Sequence, residues 1–132
     1  MNERPKMKVL IVEDNALNLE LAKDLLEASG QTVYQAHSAE EGLRLAQSTA
    51  PDVVLMDLGL PGIDGLSATK ALRLNSVTKH LPIIALTAHA MKGDEQCALE
   101  AGCDGYLPKP IDTRTFVARI MSLVQAAKSS LP

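Results

Sequence analysis

The chain has 132 residues, the length of one domain, and 46% of them are hydrophobic, enough for a real core. Thirteen basic and sixteen acidic residues leave a net charge of −3 with no basic stripe. Aromatics make up only 2% (Tyr34, Tyr106 and Phe116), so neither a generic DNA-binding surface nor a stacking platform for single strands is supported. Cys97 and Cys103 form no CxxC pair, and His37, His80 and His89 are not spaced for zinc. The polar start from Met1 to Lys8 lacks the apolar stretch of a signal peptide, and no apolar run approaches the about 20 residues of a membrane span. The expectation is a protein of the reducing cytoplasm, without membrane insertion or direct nucleic-acid binding.

Val9-Leu10-Ile11-Val12 is an aliphatic strand that runs into Glu13-Asp14-Asn15. Asp14 or Asn15 can cap the helix that follows, Ala16 to Ala28. Leu17, Leu21 and Leu25, with Ala22 and Leu26 beside them, suggest one buried stripe, and Gly30 closes the helix. Thr32 to Ala36 is a weaker strand. Ser38 reads as an N-cap, with Glu40 and Glu41 in the first turn and Leu43 and Ala46 on the buried side. Val53-Val54-Leu55-Met56 is a strand buried on both faces, ending in Asp57 and then a turn rich in Gly and Pro. Leu66 and Leu72 mark a third helix that ends near Leu74-Asn75. Pro82 to Leu86 is a fourth strand running into Thr87. Met91 to Ala101 is a weakly patterned helix, expected to be the least stable element and stopped by Gly102. Asp104 to Pro108 is an edge strand, followed by Lys109-Pro110. Thr113 is expected to cap a last helix that buries Phe116, Ile120 and Leu123 or Val124, with a frayed tail from Lys128 to Pro132.

Five strands alternating with five helices predict an α/β fold. Its central parallel sheet lies between helical layers, and crossovers are right-handed. The flavodoxin-like order 2-1-3-4-5 is expected, with its switch point between strands 1 and 3. One unit spans residues 1–132, with a core from about 7 to 126 and no internal repeat or linker.

Taken alone, Asp57 is an ordinary solvated residue at a strand end. The topology changes that reading, because the carboxyl ends of strands 1 and 3 flank the switch point. Glu13, Asp14 and Asp57 then converge on one crevice, bordered by Thr87 and Lys109 from the next strand ends. Three carboxylates repel one another and would raise each other's pKa. A hard divalent cation such as Mg²⁺ removes that penalty with oxygen ligands and bridges to phosphate. Capping and helix-dipole compensation would account for Glu13-Asp14 but not for Asp57 opposite. An Asp carboxylate can act as a nucleophile toward phosphorus. Mg²⁺ on Asp14 and Asp57, the fixed charge of Lys109 and the Thr87 hydroxyl would neutralise a transferring phosphoryl group. Neither GxxxxGK[ST] nor GxGxxG is present, so the phosphoryl donor is expected to be a protein or a small molecule rather than a cradled nucleotide.

Glu13-Asp14-Asn15, the stretch Met56-Asp57-Leu58-Gly59-Leu60-Pro61-Gly62-Ile63-Asp64-Gly65, Leu86-Thr87-Ala88 and Lys109-Pro110 resemble, in order, the signature of CheY-like response-regulator receiver domains of two-component systems. The stretch from Thr87 to Glu95 is further similar to single-domain cell-cycle regulators of the DivK type and to receivers of hybrid kinases. The resemblance implies a phosphoacceptor at Asp57. It also implies a Mg²⁺ site on Asp14, Asp57 and the Gly59 carbonyl, with Glu13 holding a metal-bound water. Thr87 and Tyr106 would form a switch pair, and Lys109 would contact the phosphoryl group before a cis bond to Pro110. The partners would be a histidine kinase or a histidine phosphotransfer protein, docking beside helix 1 near Asn15, Asn18 and Leu19, and a downstream protein target. The chain would promote its own phosphorylation and dephosphorylation without being a turnover enzyme. Leu60 stands where the family often has Met, a volume-conserving change. Gly59 and His89 occupy positions that tune dephosphorylation in the family. The rivals are a small aspartate-nucleophile phosphatase, which would place its nucleophile after the first strand and usually adds a cap domain, and a degenerate receiver that acts by contact alone.

Overall fold

The computed structural model describes residues 6–59, 64–87 and 92–129. Elements follow in the order β1 (Lys8–Val12), α1 (Ala16–Ala28), β2 (Thr32–Ala36), α2 (Ala39–Thr49), β3 (Val53–Asp57), α3 (Gly65–Leu74), β4 (Ile83–Thr87), α4 (Lys92–Ala101), β5 (Gly105–Pro108) and α5 (Phe116–Ser129). The strands form one parallel sheet in the order β2-β1-β3-β4-β5. This is the flavodoxin-like arrangement the alternating pattern predicts.

The side chains of each strand alternate between two cores. Leu10, Val12, Val54, Met56, Ile83 and Ala85 pack on one face, beneath Ala39 and Ala46 of α2, Ala68 and Leu72 of α3, and Ala98 of α4. Val9, Ile11, Val53, Leu55, Ile84 and Leu86 pack on the other, beneath α1 and the Phe116, Ile120 and Val124 side chains of α5. The three aliphatic runs therefore sit at the buried centre as β1, β3 and β4, and the two weaker strands lie at the edges.

Local signals explain most boundaries. The Asn15 side chain accepts a hydrogen bond from the Asn18 amide at 3.0 Å and starts α1. Ser38 does the same for the Glu41 amide at 3.2 Å at the head of α2. Gly30 and Gly102 follow α1 and α4 at φ of +93° and +115°, conformations that favour glycine.

Three expectations are corrected. In α1 the buried residues are Leu19, Ala22 and Leu26, whereas Leu17 is 78% exposed and Leu21 is 37% exposed. Residues spaced by four drift around a helix of 3.6 residues per turn, so the Leu17-Leu21-Leu25 row slides off the inward face. At the other end Thr113 does not cap α5. The Asp112 side chain accepts from the Arg114 amide at 3.0 Å, a turn follows, and the helix begins at Phe116. Lys128, expected in a frayed tail, still belongs to α5. Met91, His89, Leu60, the Pro61-Gly62 turn and the tail residues 130–132 lie outside the described residues.

Gly65 opens α3 directly beneath the end of β3. A Cβ there would collide with the Asp57 carbonyl oxygen and with the Leu58 Cα at 2.8 Å. These are backbone atoms in a packed strand and cannot rotate aside. Gly65→Ala is therefore expected to lower the unfolding free energy by about 1–3 kcal/mol, read from a urea midpoint. An unchanged midpoint would show that α3 re-seats without cost.

Candidate functional site

The carboxyl edge of the sheet collects the side chains singled out in the sequence. Backbone hydrogen bonds continue the ladder past the strand ends and set their relative positions. The Glu13 amide bonds the Ala36 carbonyl at 3.0 Å, the Leu58 amide bonds Leu86 at 3.0 Å, and the Lys109 amide bonds Thr87 at 2.7 Å. Glu13 and Asp14 thus emerge from β1, Asp57 closes β3, Thr87 closes β4 and Lys109 follows β5. Asp57, Glu13 and Thr87 are buried, whereas Asp14 is exposed at the rim.

Lys109 joins the acidic groups. Its Nζ lies 2.9 Å from Asp57 Oδ1 and 3.2 Å from Glu13 Oε1. The Gly59 amide donates to the same Asp57 Oδ1 at 2.9 Å. This second donor was not anticipated, although an Asp side chain bonding its own backbone two residues on is a known turn habit and Asp57-x-Gly59 carries its pattern. The peptide bond from Lys109 to Pro110 is cis.

One cation does not balance this cluster. Burial, the hydrogen bond with Asp57 and its negative charge push the Glu13 carboxyl up to about 7, against the pull of Lys109. Burial also pushes Asp57 up, but hydrogen bonds from Glu13, the Gly59 amide and Lys109, with the lysine's charge, together hold it below the usual carboxylate range. For Lys109, burial works against the charged form, yet bonds to Asp57 and Glu13 raise it above the ordinary lysine value. Glu13 Oε2 is fully buried and no donor among the described residues reaches it. One ligand oxygen from each of Glu13, Asp14 and Asp57 lies within 4.8 Å of the others. An unsatisfied buried oxygen among three converging carboxylates suits a hard divalent cation.

The titration of Glu13 has a measurable consequence in metal-free protein. Its folded value of about 7 stands above the ordinary 4.5. Between those values the folded state binds more protons than the unfolded state, so this contribution to stability falls as pH rises. Asp57, shifted down, matters below that window, and Lys109, shifted up, matters above it. With EDTA present, the urea midpoint is expected to drop between pH values just above the ordinary Glu range and those above about 7. Glu13→Gln should remove this drop, and a drop of equal size in that variant would locate the effect elsewhere.

Tyr106 lies in β5, half-buried, and packs against the core beneath α2, α3 and α4. It is paired in register with Ala85, two residues before Thr87. Thr87 and Tyr106 therefore face the same side of the sheet. Glu95 of α4, accepting a hydrogen bond and adding its charge, pushes the Tyr106 phenol up. Asn15 and Asn18 lie at the head of α1 beside Asp14, but Leu19, expected on the same surface, is buried and faces the core. The exposed apolar side chains there are Leu17 and Leu21. His89 and Leu60 lie outside the described residues.

A parallel sheet whose carboxyl edge gathers acidic groups from β1 and β3 around a lysine from the end of β5 defines a receiver fold. The chain belongs to the response regulator receiver domain family, whose model matches residues 9–121. It is 46% identical over 114 residues to the polar-differentiation response regulator DivK of Brucella ovis, covering 86% of this chain and 93% of the relative. Among solved structures it resembles the chemotaxis protein CheY4 of Vibrio cholerae, with a TM-score of 0.85, 28% identity and coverage of 90% and 99% of the two chains. It also resembles the receiver domain of a sensor histidine kinase from Pseudomonas aeruginosa PAO1, with a TM-score of 0.81, 34% identity and coverage of 96% and 100%. That neighbour carries a magnesium ion coordinated in its active-site cleft. No helix among the described residues is long and apolar enough to cross a membrane.

Proposed function

We propose that the chain is one receiver unit, about residues 7–126, that accepts a phosphoryl group on Asp57 from a phosphohistidine and relays the signal by contact. One observation carries the proposal: Lys109 Nζ stands 2.9 Å from Asp57 Oδ1, beside a Glu13 oxygen that no donor among the described residues reaches. A nucleophile, a fixed positive charge and an acidic pocket for a cation are thereby brought together.

In the reaction an Asp57 carboxylate oxygen forms a bond to phosphorus as the phosphorus–nitrogen bond to the donor imidazole breaks. The electron pair leaves with the imidazole nitrogen, so no protein residue need act as a base. Mg²⁺ bound by Asp14, Asp57 and the Gly59 carbonyl, with Glu13 holding one of its waters, would supply positive charge to the phosphoryl oxygens. Lys109 contributes the remaining fixed charge and Thr87 a hydroxyl donor. The Gly59 amide, donating to Asp57 Oδ1 at 2.9 Å, helps orient the carboxylate.

The same contacts give a switch. Phosphate on Asp57 draws the Thr87 hydroxyl inward, and Tyr106, on the same face of the sheet, rotates into the space vacated. Inverting a two-state equilibrium from 1:99 to 99:1 takes roughly 5.5 kcal/mol. One or two charge-assisted hydrogen bonds at about 1.5–3 kcal/mol each cover much of that. The surface of α4, β5 and α5 changes as a result and is read by a downstream protein in the cytoplasm.

The donor is a histidine kinase or histidine phosphotransfer protein, docking on the α1 end around Asn15 and Asn18. Leu17, 78% exposed one turn from Asp14, supplies the apolar contact expected of Leu19. The likeness to DivK supports a stand-alone regulator over a receiver within a hybrid kinase. Incubation with a panel of phosphorylated histidine phosphotransfer proteins, followed by borohydride reduction and peptide mapping, tests the reading. Label on the peptide containing Asp57 is expected. Steady release of phosphate from small esters without a stable adduct would favour a phosphatase instead.

A further inference from the structure

At the pole opposite Asp57 the loops before β3, β4 and β5 enclose a cleft of about 430 Å³, together with the end of α5. Its volume lies in the range of small-molecule sites, and no residue of the phosphoryl site reaches it. Leu81, Pro82, Val77 and Ala127 give it apolar walls, and Val77 is 56% exposed.

Its polar lining is uneven. Arg73 is held rigidly. Its Nε donates to the Gly102 carbonyl at 2.9 Å, one terminal nitrogen to the Lys79 and Leu81 carbonyls at 2.8 and 2.6 Å, and the other to Asp104 at 2.9 Å. These bonds use four of the five guanidinium N–H groups, and the fifth has no acceptor among the described residues. Lys79 and Lys128 border the same cleft and take part in no ion pair among the described residues. The carboxylates present, Asp52 and Asp104, already accept from the Lys8 amide at 2.8 Å and from the Ile83 amide at 2.8 Å. Among its Lys, Arg and Asp residues, three cations against two carboxylates leave one net positive charge in the lining, on a chain of net charge −3.

We propose that this cleft binds an amphipathic monoanion: a carboxylate or sulfonate on a compact apolar or aromatic body. The body lies against Leu81, Pro82 and Val77, and the acid meets the open Arg73 N–H between Lys79 and Lys128. A single negative charge neutralises the lining, whereas a dianionic phosphate ester leaves an excess that faces Asp52 and Asp104. At interior packing density the cleft holds about 320 Å³ of ligand, the size of a two- or three-ring acid. The site sits at the amino ends of β4 and β5, whose other ends carry Thr87 and lead to Lys109.

Anilinonaphthalene sulfonate serves as a fluorescent probe of this chemistry on the whole chain, with 2-naphthoate as competitor. Saturable fluorescence at one site is expected, displaced by 2-naphthoate and at least tenfold less readily by uncharged 2-naphthol. The double variant Lys79→Glu, Lys128→Glu should bind the probe at least tenfold more weakly, with an unchanged thermal midpoint and unchanged labelling by acetyl phosphate. Arg73 is left intact in this variant because its bonds hold the loops. Amide chemical shifts should move at Asp52, Leu81 and Gly102. Unsaturable fluorescence, equal displacement by 2-naphthol, undiminished binding to the double variant, or shifts confined to α4 and α5 would each overturn the assignment.

Discussion

Asp57→Asn is expected to abolish labelling by acetyl phosphate or by a phosphohistidine donor, a loss on the order of a thousandfold or more, while the protein stays folded. An amide lacks the anionic oxygen that attacks phosphorus, and the two carboxylates that remain, Glu13 and Asp14, are the ones that would hold the cation. Glu13, at the end of the neighbouring strand, is engaged by Lys109 at 3.2 Å. The fold should survive because the substitution is isosteric. The amide oxygen still accepts from Gly59 and from Lys109, and Lys109 retains Glu13 as its counter-ion. Circular dichroism and a urea midpoint check the fold; acid-stable radiolabel checks the chemistry. Undiminished acid-stable labelling of this variant would remove Asp57 from the role proposed for it.

Lys109→Ala should act on both stability and chemistry. The ammonium is the positive group that two buried carboxylates share, at 2.9 and 3.2 Å. Removing one partner of a buried pair leaves an uncompensated charge, typically at a cost of about 3–5 kcal/mol. The lower end is expected here, because the Lys109 side chain is 15% exposed and Glu13 can relieve part of the strain by taking up a proton. Metal-free Lys109→Ala should therefore unfold at a clearly lower urea concentration. Saturating Mg²⁺ should restore more stability to this variant than it adds to the wild type, since it replaces the missing charge. Phosphate labelling should stay low even with Mg²⁺, because the phosphoryl oxygens lose a fixed donor. A wild-type midpoint in EDTA would mean that the ion pairs contribute nothing net.

The chain's periodicities carried most of the architecture. Val9–Val12, Val53–Met56 and Ile83–Leu86 are continuous aliphatic runs, and only strands buried on both faces need such runs; their central positions in the sheet follow. Asn15, Ser38, Gly30 and Gly102 marked helix ends because capping and left-handed backbone are local needs met by particular residue types. The inward face of α1 was less legible. Leu17 and Leu21 are as apolar as Leu19 and Leu26, and only contact with β1 and α5 decides which row is buried. Thr113 is as good a cap by type as Ser38, but Asp112 uses its side chain on the Arg114 amide first and delays the helix to Phe116.

The candidate site divides in the same way. Residue type and strand-end position were enough to single out Glu13, Asp14, Asp57, Thr87 and Lys109, since a parallel sheet delivers the residues that follow its strands to one edge. By itself, then, the sequence determined the sheet order and the membership of the acidic crevice, because both rest on periodicity and on short-range signals. Only the tertiary structure decided which carboxylate Lys109 approaches most closely, that Glu13 keeps an oxygen without a donor among the described residues, that Gly59 braces Asp57 through its amide, and that a cleft opens at the far pole. Those features depend on distances of a few ångströms between segments up to 96 residues apart in the chain. Such distances follow from how the helices pack across the sheet, which no local pattern encodes.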